Sequence, residues 1–180
     1  MPTHMNLRWT EMEDALEATD KLKHLAKSYG IADPFSDNGV KVLQIAIATG
    51  LDIHPGRRGP DAMDRIGNEY EIKTVDLNKK NSGFSTNHHL NTAVIDRFMA
   101  RRFVFATYKD STLVEAYLVE SAALMPVFAK WRRSLKGRTH LNNPKIPIDY
   151  VREVGTAMYL KDVTPSWASK ETTTEDVAAA

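Results

Sequence analysis

Two β-rich runs joined by a short turn lie in the middle of the chain, and they restrict its fold more than any other segment. Residues 61–65 and 69–77 flank the turn Ile66-Gly67-Asn68, and tight hairpin turns favour Gly and Asn because these residues tolerate positive φ. Residues 103–108 and 112–119 repeat the arrangement around a short polar turn. The sequence therefore predicts a sheet built from hairpins.

Helical patterns lie on both sides of these strands. Thr10 and Glu13 form a capping-box pattern, and Gly30 is suited to end the helix that follows. Apolar residues recur between them at helical spacing, namely Met12, Leu16, Leu22, Leu25 and Tyr29. We expect an amphipathic helix of about five turns that serves for packing or dimerisation.

Capping residues, glycines and prolines predict where most of the other helices, strands and loops lie. The apolar run from Val40 to Thr49 fits a buried strand or a helix, and the cap-like Asn38 and the terminal Gly50 favour a helix. We further expect a helix at 92–100 capped by Asn91, a helix from Pro126 to about Leu135, a last strand at 147–154, and polar loops at 78–87 and 142–144.

A helical N-terminal part followed by a mixed sheet with flanking helices predicts the α/β (α+β) class. At 180 residues the chain fits one domain with a single core. We expect that domain to span residues 1–160, with a helical dimerisation part at 1–37 and a second part at 38–160 that contains the sheet. Residues 161–180 are rich in Ser, Thr, Glu and Ala and are expected to be disordered.

The composition excludes several other classes of protein. The chain has no cysteine, which excludes disulfides and thiolate zinc sites and fits a reducing compartment. No apolar stretch resembles a signal peptide or a membrane span. We expect a soluble protein of the bacterial cytoplasm.

The net charge of +1 hides an uneven distribution along the chain. Residues 126–148 hold six Lys and Arg and no acid, whereas residues 1–37 hold four bases against seven acids. A basic surface of this kind suits phosphate binding, and a solvated helix face would look the same. The best candidates for phosphate contacts are Arg132, Arg133 and Lys136.

The segment GRRGPDAMDRIGNEYEIKT carries the residues that point to a reaction. Glu71 and Lys73 are two apart on a predicted strand, so their side chains share a face. Asp61 begins the partner strand, and the hairpin can bring it beside them. Two carboxylates supply hard oxygen ligands for Mg²⁺, and an ammonium group can orient water and stabilise phosphate charge. Taken alone, this spacing also fits salt-bridged residues on a surface hairpin.

With its surroundings, the segment resembles PvuII-type restriction endonucleases, which belong to the PD-(D/E)xK nuclease superfamily. The resemblance runs from about Tyr29 to Tyr159 and rests on several colinear blocks. These blocks are DNGVKVLQIAIATGLDIHPGR, the catalytic hairpin, GFSTNHHLN and NNPKIPIDYV.

The resemblance implies a homodimer that uses Mg²⁺ to cut a palindromic double-stranded DNA site, CAG/CTG, leaving blunt ends with 5′-phosphates. It also implies a cognate DNA methyltransferase in the same host. Asp61, Glu71 and Lys73 fall on the catalytic positions, and Asp61 and Glu71 would bind the metal. The implied DNA-binding residues are Asp37, Ser85, His88, His89, Asn142 and Asn143.

The chain departs from the family pattern at Asn87, Arg58 and Phe98. Asn87 stands where a run of three histidines begins, Arg58 replaces an acidic residue, and Phe98 replaces a tyrosine. These differences bear on cleavage rate and flanking preference more than on the type of reaction.

Each implied DNA contact also has a simpler interpretation. His88 and His89 could lie in a polar surface loop, Asn142 and Asn143 could form an Asx turn before a proline, and Asp37 could cap a helix. The whole chain could instead be another nuclease of the superfamily, such as a junction resolvase or a nickase, or a catalytically silent DNA-binding protein.

Overall fold

The computed structural model describes residues 4–36, 38–54, 59–80 and 83–161. Its helices are α1 (His4–Ser28), α2 (Gly39–Thr49), α3 (Thr92–Met99), α4 (Met125–Ser134) and α5 (Ile148–Val154). Its strands are β1 (Asp52–Ile53), β2 (Ala62–Met63), β3 (Glu69–Asp76), β4 (Gly83–Ser85), β5 (Arg102–Lys109), β6 (Thr112–Val119), β7 (Lys145–Pro147) and β8 (Thr156–Leu160). None of the helices in this part of the chain combines the length and hydropathy that a bilayer crossing requires.

The main sheet is mixed and has six described strands in the order β1-β2-β3-β5-β6-β8. Strands β3 and β5 are parallel, and the other neighbours are antiparallel. The parallel pair needs a crossover, which contains β4 and α3. This arrangement confirms the expected mixed α/β class with flanking helices.

Strand β5 runs through the centre of the fold and is buried on both faces. Its residues Phe103 and Phe105 pack with α3 and α4, whereas Val104, Ala106 and Tyr108 pack on the opposite face, against α2. Successive side chains of a strand point to opposite faces, so a strand between two layers needs a nearly continuous apolar run. The parallel neighbour β3 is aligned with it through the pairs Glu71–Phe103 and Lys73–Phe105.

Helix α1 begins earlier than the capping-box pattern indicates. It starts at His4, so the prediction that Thr10 caps it is wrong, and Thr10 lies inside the helix. The pattern misled because it has no Gly or Pro directly before it to stop the helix from extending. The predicted end is confirmed: Gly30 has φ +73°, and the amide of Ile31 donates to the Ala26 carbonyl at 3.0 Å.

Most of the predicted elements are confirmed. The run from Val40 forms α2 and ends at Gly50, both hairpins form, and Pro126 lies in the first turn of α4. Asn91 caps α3, with its side-chain oxygen accepting from the Val94 amide at 3.0 Å. Strand β2 is shorter than the predicted 61–65, because Asp64 leaves the ladder and accepts hydrogen bonds from the turn.

Two predictions about the segments that form β4, β7 and α5 are wrong. Residues 147–154 were expected as a strand, but Lys145–Pro147 is the strand β7 and Ile148–Val154 is the helix α5. The helix is favoured because Ile148, Val151 and Val154 recur at helical spacing and pack on the core. The expected loop at 78–87 contains β4, which pairs with β7. A Cβ on Gly83 would lie 2.4 Å from the Ile146 carbonyl oxygen, so this pairing requires glycine.

Candidate active site and DNA-recognition segments

Asp61 is held against the strand that carries the other two predicted catalytic residues. Its amide donates to the Tyr70 carbonyl at 2.9 Å, which places it directly before β2. Its carboxylate oxygen Oδ2 accepts a 2.7 Å hydrogen bond from the amide of Ile72. Ile72 lies between Glu71 and Lys73, so the hairpin brings Asp61 beside both residues.

Glu71 and Lys73 share one face of β3, as the spacing predicts. The Lys73 Nζ lies 2.6 Å from Glu71 Oε1, and the two side chains are only 14% and 12% exposed. Lys73 Nζ also lies 5.6 Å from the ring centroid of Phe98, which is buried on α3. Phe98, Phe103 and Phe105 pack together beneath this face, which limits solvent access from that side.

Arg101 is a further charged residue of the site, and the sequence analysis missed it. Its Nη1 lies 2.8 Å from Glu71 Oε2, and its Nε lies 3.3 Å from Glu69 Oε2. Arg101 is thirty residues beyond Glu71, so no local spacing joins them. The only signal was that Arg101 lies two residues before the predicted strand at 103–108, and the parallel pairing of β3 and β5 could not be foreseen from it.

The electrostatics of Asp61 reflect a crowded pair of carboxylates. Burial raises the pKa of Asp61 above its ordinary value of 3.8, and the negative charge of Glu71 raises it further. The Ile72 amide, Lys73 and Arg101 lower the pKa but do not reverse the shift. Ionisation of Asp61 is therefore less favourable in the folded protein than in water, and a nearby cation would make it more favourable.

Asp61 lies at the border of two clefts. One has a volume of about 580 Å³ and is lined by residues that include Asn38, His54, Asp61 and Lys73. The other has a volume of about 360 Å³, and its lining residues are Gly59, Asp61, Glu71, Asn87, Arg97, Phe98 and Arg101. The three predicted catalytic residues therefore face open space in which a phosphodiester and water could lie.

The donor set fits a hard divalent cation. Mg²⁺ takes oxygen ligands and commonly uses one or two protein carboxylates while it keeps several waters, which Asp61 and Glu71 can provide. Mutual repulsion between these carboxylates is relieved by a bound cation. In the described ranges, no group of three or more His, Cys, Asp or Glu side chains is arranged to hold a metal ion.

The predicted DNA-reading segments come together on the two-stranded sheet of β4 and β7. Ser85 of β4 is exposed and lies opposite Lys145 of β7. Beyond the strands, the amide and the hydroxyl of Thr86 donate to the Pro144 carbonyl at 3.3 and 2.8 Å. Segments 85–90 and 141–145 are therefore one surface although they are far apart in sequence.

The histidine and asparagine pairs lie at one end of this surface. His88, His89 and Asn142 are exposed, and Asn143 is partly buried. The Asn143 amide donates to the Asn87 carbonyl at 3.0 Å, and the side chain of Asn87 accepts from the His89 amide at 2.9 Å. Because Asn87 also lines the smaller cleft together with Asp61 and Glu71, it joins the predicted recognition surface to two of the predicted catalytic residues.

The other residues singled out in the sequence are Asp37, Arg58 and the basic residues in and after α4. Asp37 and Arg58 lie outside the described residues. Arg132, expected to contact phosphate, forms an ion pair with Asp96. Arg133 and Lys136 are exposed on and just after α4.

A family model described as "Restriction endonuclease PvuII" matches residues 7–159. The matched range contains the catalytic hairpin, both recognition segments and nearly all of α1, so it begins well before Tyr29, where the resemblance was recognised in the sequence.

Proposed function

The chain belongs to the restriction endonuclease PvuII family and is a type II site-specific deoxyribonuclease, and we propose that Asp61, Glu71 and Lys73 are its catalytic residues. The observation that carries this proposal is the contact of the Asp61 carboxylate with the amide between Glu71 and Lys73, at 2.7 Å. It gathers two carboxylates and one ammonium group at the border of two clefts.

The proposed site works with Mg²⁺ held by Asp61 and Glu71. A bound Mg²⁺ ion would lower the pKa of its water and stabilise the charge that develops on the phosphate. Lys73 holds the attacking water and donates a hydrogen bond to a non-bridging phosphate oxygen. Attack joins the water oxygen to phosphorus and breaks the bond to O3′, which leaves a 5′-phosphate and a 3′-hydroxyl.

Sequence recognition is proposed for the surface of β4 and β7. His88 and His89 would donate hydrogen bonds to guanine in the major groove, and Asn142 and Asn143 would bind adenine through its N6 and N7. Ser85 lies on the same surface and would contact the DNA there. We propose that Asp37 lies near the minor groove of the bound DNA. The proposed target is CAG/CTG, cut to blunt ends.

A homodimer is proposed because the target is palindromic and because α1 presents an uncovered apolar face. Trp9, Met12 and Leu16 are 63%, 51% and 53% exposed, although they recur at helical spacing. The C-terminal half of α1 is anchored through the contact of Leu22 and Ala26 with Leu43 of α2. A second copy would cover the free half, and a two-fold dimer would match the two-fold symmetry of the site.

The biological setting follows from the reaction. An enzyme that cuts duplex DNA at a short site would act in the bacterial cytoplasm. A cognate methyltransferase would have to protect the same sites in the host DNA.

The test is digestion of a plasmid that contains one CAGCTG site, with Mg²⁺ or with EDTA, followed by sequencing of the ends. With Mg²⁺ we expect one linear product with blunt ends and 5′-phosphates, and with EDTA we expect no cleavage. Random nicking or staggered ends would refute the proposed specificity. Preference for a four-way junction would indicate a resolvase, and DNA binding without any scission would indicate a silent binding protein.

A further inference from the structure

Arg101 is bound to the same carboxylate that is proposed to hold the metal. Its guanidinium spans two glutamates of β3, with Nη1 at 2.8 Å from Glu71 Oε2 and Nε at 3.3 Å from Glu69 Oε2. The Arg101 side chain is only 14% exposed. Its backbone is also fixed, since its amide donates to the Phe98 carbonyl at the end of α3 at 3.2 Å.

Both oxygens of Glu71 are therefore engaged. Lys73 contacts Oε1 at 2.6 Å, and Arg101 contacts Oε2 at 2.8 Å. Charge-assisted hydrogen bonds of this length are strong, and one contact on each oxygen fixes the orientation of the carboxylate. A divalent cation at Asp61 and Glu71 has to share or weaken one of these contacts.

The charges of the site are also balanced. Asp61 and Glu71 carry two negative charges when ionised, and Lys73 and Arg101 carry two positive charges; the other three groups are close enough to Asp61 to affect its pKa. A fixed positive charge close to a carboxylate opposes the entry of a divalent cation, and low solvent exposure strengthens this repulsion. A DNA phosphate would bring a further negative charge and would favour entry of the cation.

We infer that Arg101 is a positioning residue of the active site, which fixes Glu71 and lowers the affinity of the Asp61–Glu71 pair for Mg²⁺. The inference rests on the proposed metal site. It differs from a purely structural role for Arg101, such as tying the start of β5 to Glu69. A structural role would affect folding stability and would not make Mg²⁺ bind more tightly.

The test measures Mg²⁺ affinity by calorimetry on the full chain without DNA. Arg101→Gln removes the charge and is expected to bind Mg²⁺ at least about fivefold more tightly than the unmodified chain. Arg101→Lys keeps the charge and is expected to stay within about twofold. The matched control is Arg102→Gln, because the neighbouring Arg102 contacts Glu120 and Tyr70 rather than Glu71.

Each outcome separates the inference from the proposed function on which it rests. Equal or weaker Mg²⁺ binding by Arg101→Gln, relative to Arg102→Gln, would overturn the role of Arg101. If Glu71→Gln left Mg²⁺ binding unchanged, the proposed metal site itself would be wrong. Should the glutamine variant unfold in a thermal melt, Arg101→Met keeps the length of the side chain, and the same gain in affinity is expected of it.

Discussion

The Asp61 carboxylate accepts a 2.7 Å hydrogen bond from the backbone amide of Ile72, the residue between Glu71 and Lys73. The backbone amide belongs to β3, and the side chain that it holds directly precedes β2, the hairpin partner of β3. The position of Asp61 therefore depends on the hairpin register, in which Ala62 is opposite Tyr70. A one-residue shift of this register would separate Asp61 from the other two side chains.

Replacement of Asp61 by asparagine should stabilise the metal-free protein, because it removes one of two carboxylates that lie close together. Because burial and Glu71 raise the folded-state pKa of Asp61, its ionised form reduces stability, and this loss grows as the pH rises from 3.8 to the raised value. We predict that Asp61→Asn has a higher Tm than the unmodified chain at pH 7. The Tm gain in a domain of this size is about 2–4 °C for each kcal/mol.

The pH dependence provides the control for this stability effect. The advantage of Asp61→Asn should shrink as the pH falls towards 3.8, the ordinary pKa of the group. The matched variant Asp52→Asn replaces an exposed aspartate of β1 and should leave the Tm nearly unchanged. A Tm of Asp61→Asn at or below that of the unmodified chain at pH 7 would contradict the crowding of the two carboxylates.

Loss of Lys73 should separate DNA binding from cleavage. We predict that Lys73→Ala binds a cognate duplex with nearly unchanged affinity in Ca²⁺ but cleaves it about 10²–10⁴-fold more slowly in Mg²⁺. Gel-shift and single-turnover assays measure the two effects. Lys109→Ala removes an exposed lysine at the end of β5 and should cleave normally. Normal cleavage by Lys73→Ala would show that Lys73 is not the catalytic lysine.

A charge on the free face of α1 should disrupt the proposed dimer. Leu16 is 53% exposed, and burial of a lysine at that position against a second copy would be strongly unfavourable. We predict that Leu16→Lys sediments as a monomer at concentrations where the unmodified chain is a dimer. Lys21→Ala loses only an exposed ion pair with Glu17 and should remain dimeric, and an unchanged oligomeric state for Leu16→Lys would place the interface elsewhere.

Truncation of Asn143 should relax sequence specificity without disturbing the fold. Its φ of +48° is tolerated by glycine, so Asn143→Gly removes the side chain without backbone strain. A lost bidentate contact to adenine should reduce discrimination by about 1–3 kcal/mol. The ratio of kcat/KM on the target to that on a site with one changed base measures this loss, and an unchanged ratio would exclude Asn143 from base recognition.

The sequence contains most of the local structure of this fold. Asn91 before α3, Gly50 after α2 and Pro126 at the start of α4 each act locally, and the structure has them where the sequence predicts. The spacing of Glu71 and Lys73 also predicts a shared face, because side chains alternate along any strand. These features depend on neighbours within a few residues.

Features that depend on residues far apart in the sequence could not be predicted from local patterns. Residues 148–154 form a helix rather than a strand, partly because Arg152 binds the buried Glu115 of β6 at 2.7 Å. The short strand β4 forms only because β7 pairs with it. Arg101 reaches Glu71 through the parallel register of β3 and β5, which no spacing within either strand reveals.

Single-turnover cleavage of a duplex with one CAGCTG site tests the combined role of Asp61 and Glu71 most directly. The comparison needs the unmodified chain, Asp61→Asn, Glu71→Gln and the double variant, each with Mg²⁺ and with EDTA. Because residues that act as one unit are not additive, we predict that each single change slows cleavage at least about 10³-fold and that the double variant is no slower. Near-normal cleavage by either single variant, or cleavage by the unmodified chain in EDTA, would contradict a metal site shared by these two carboxylates.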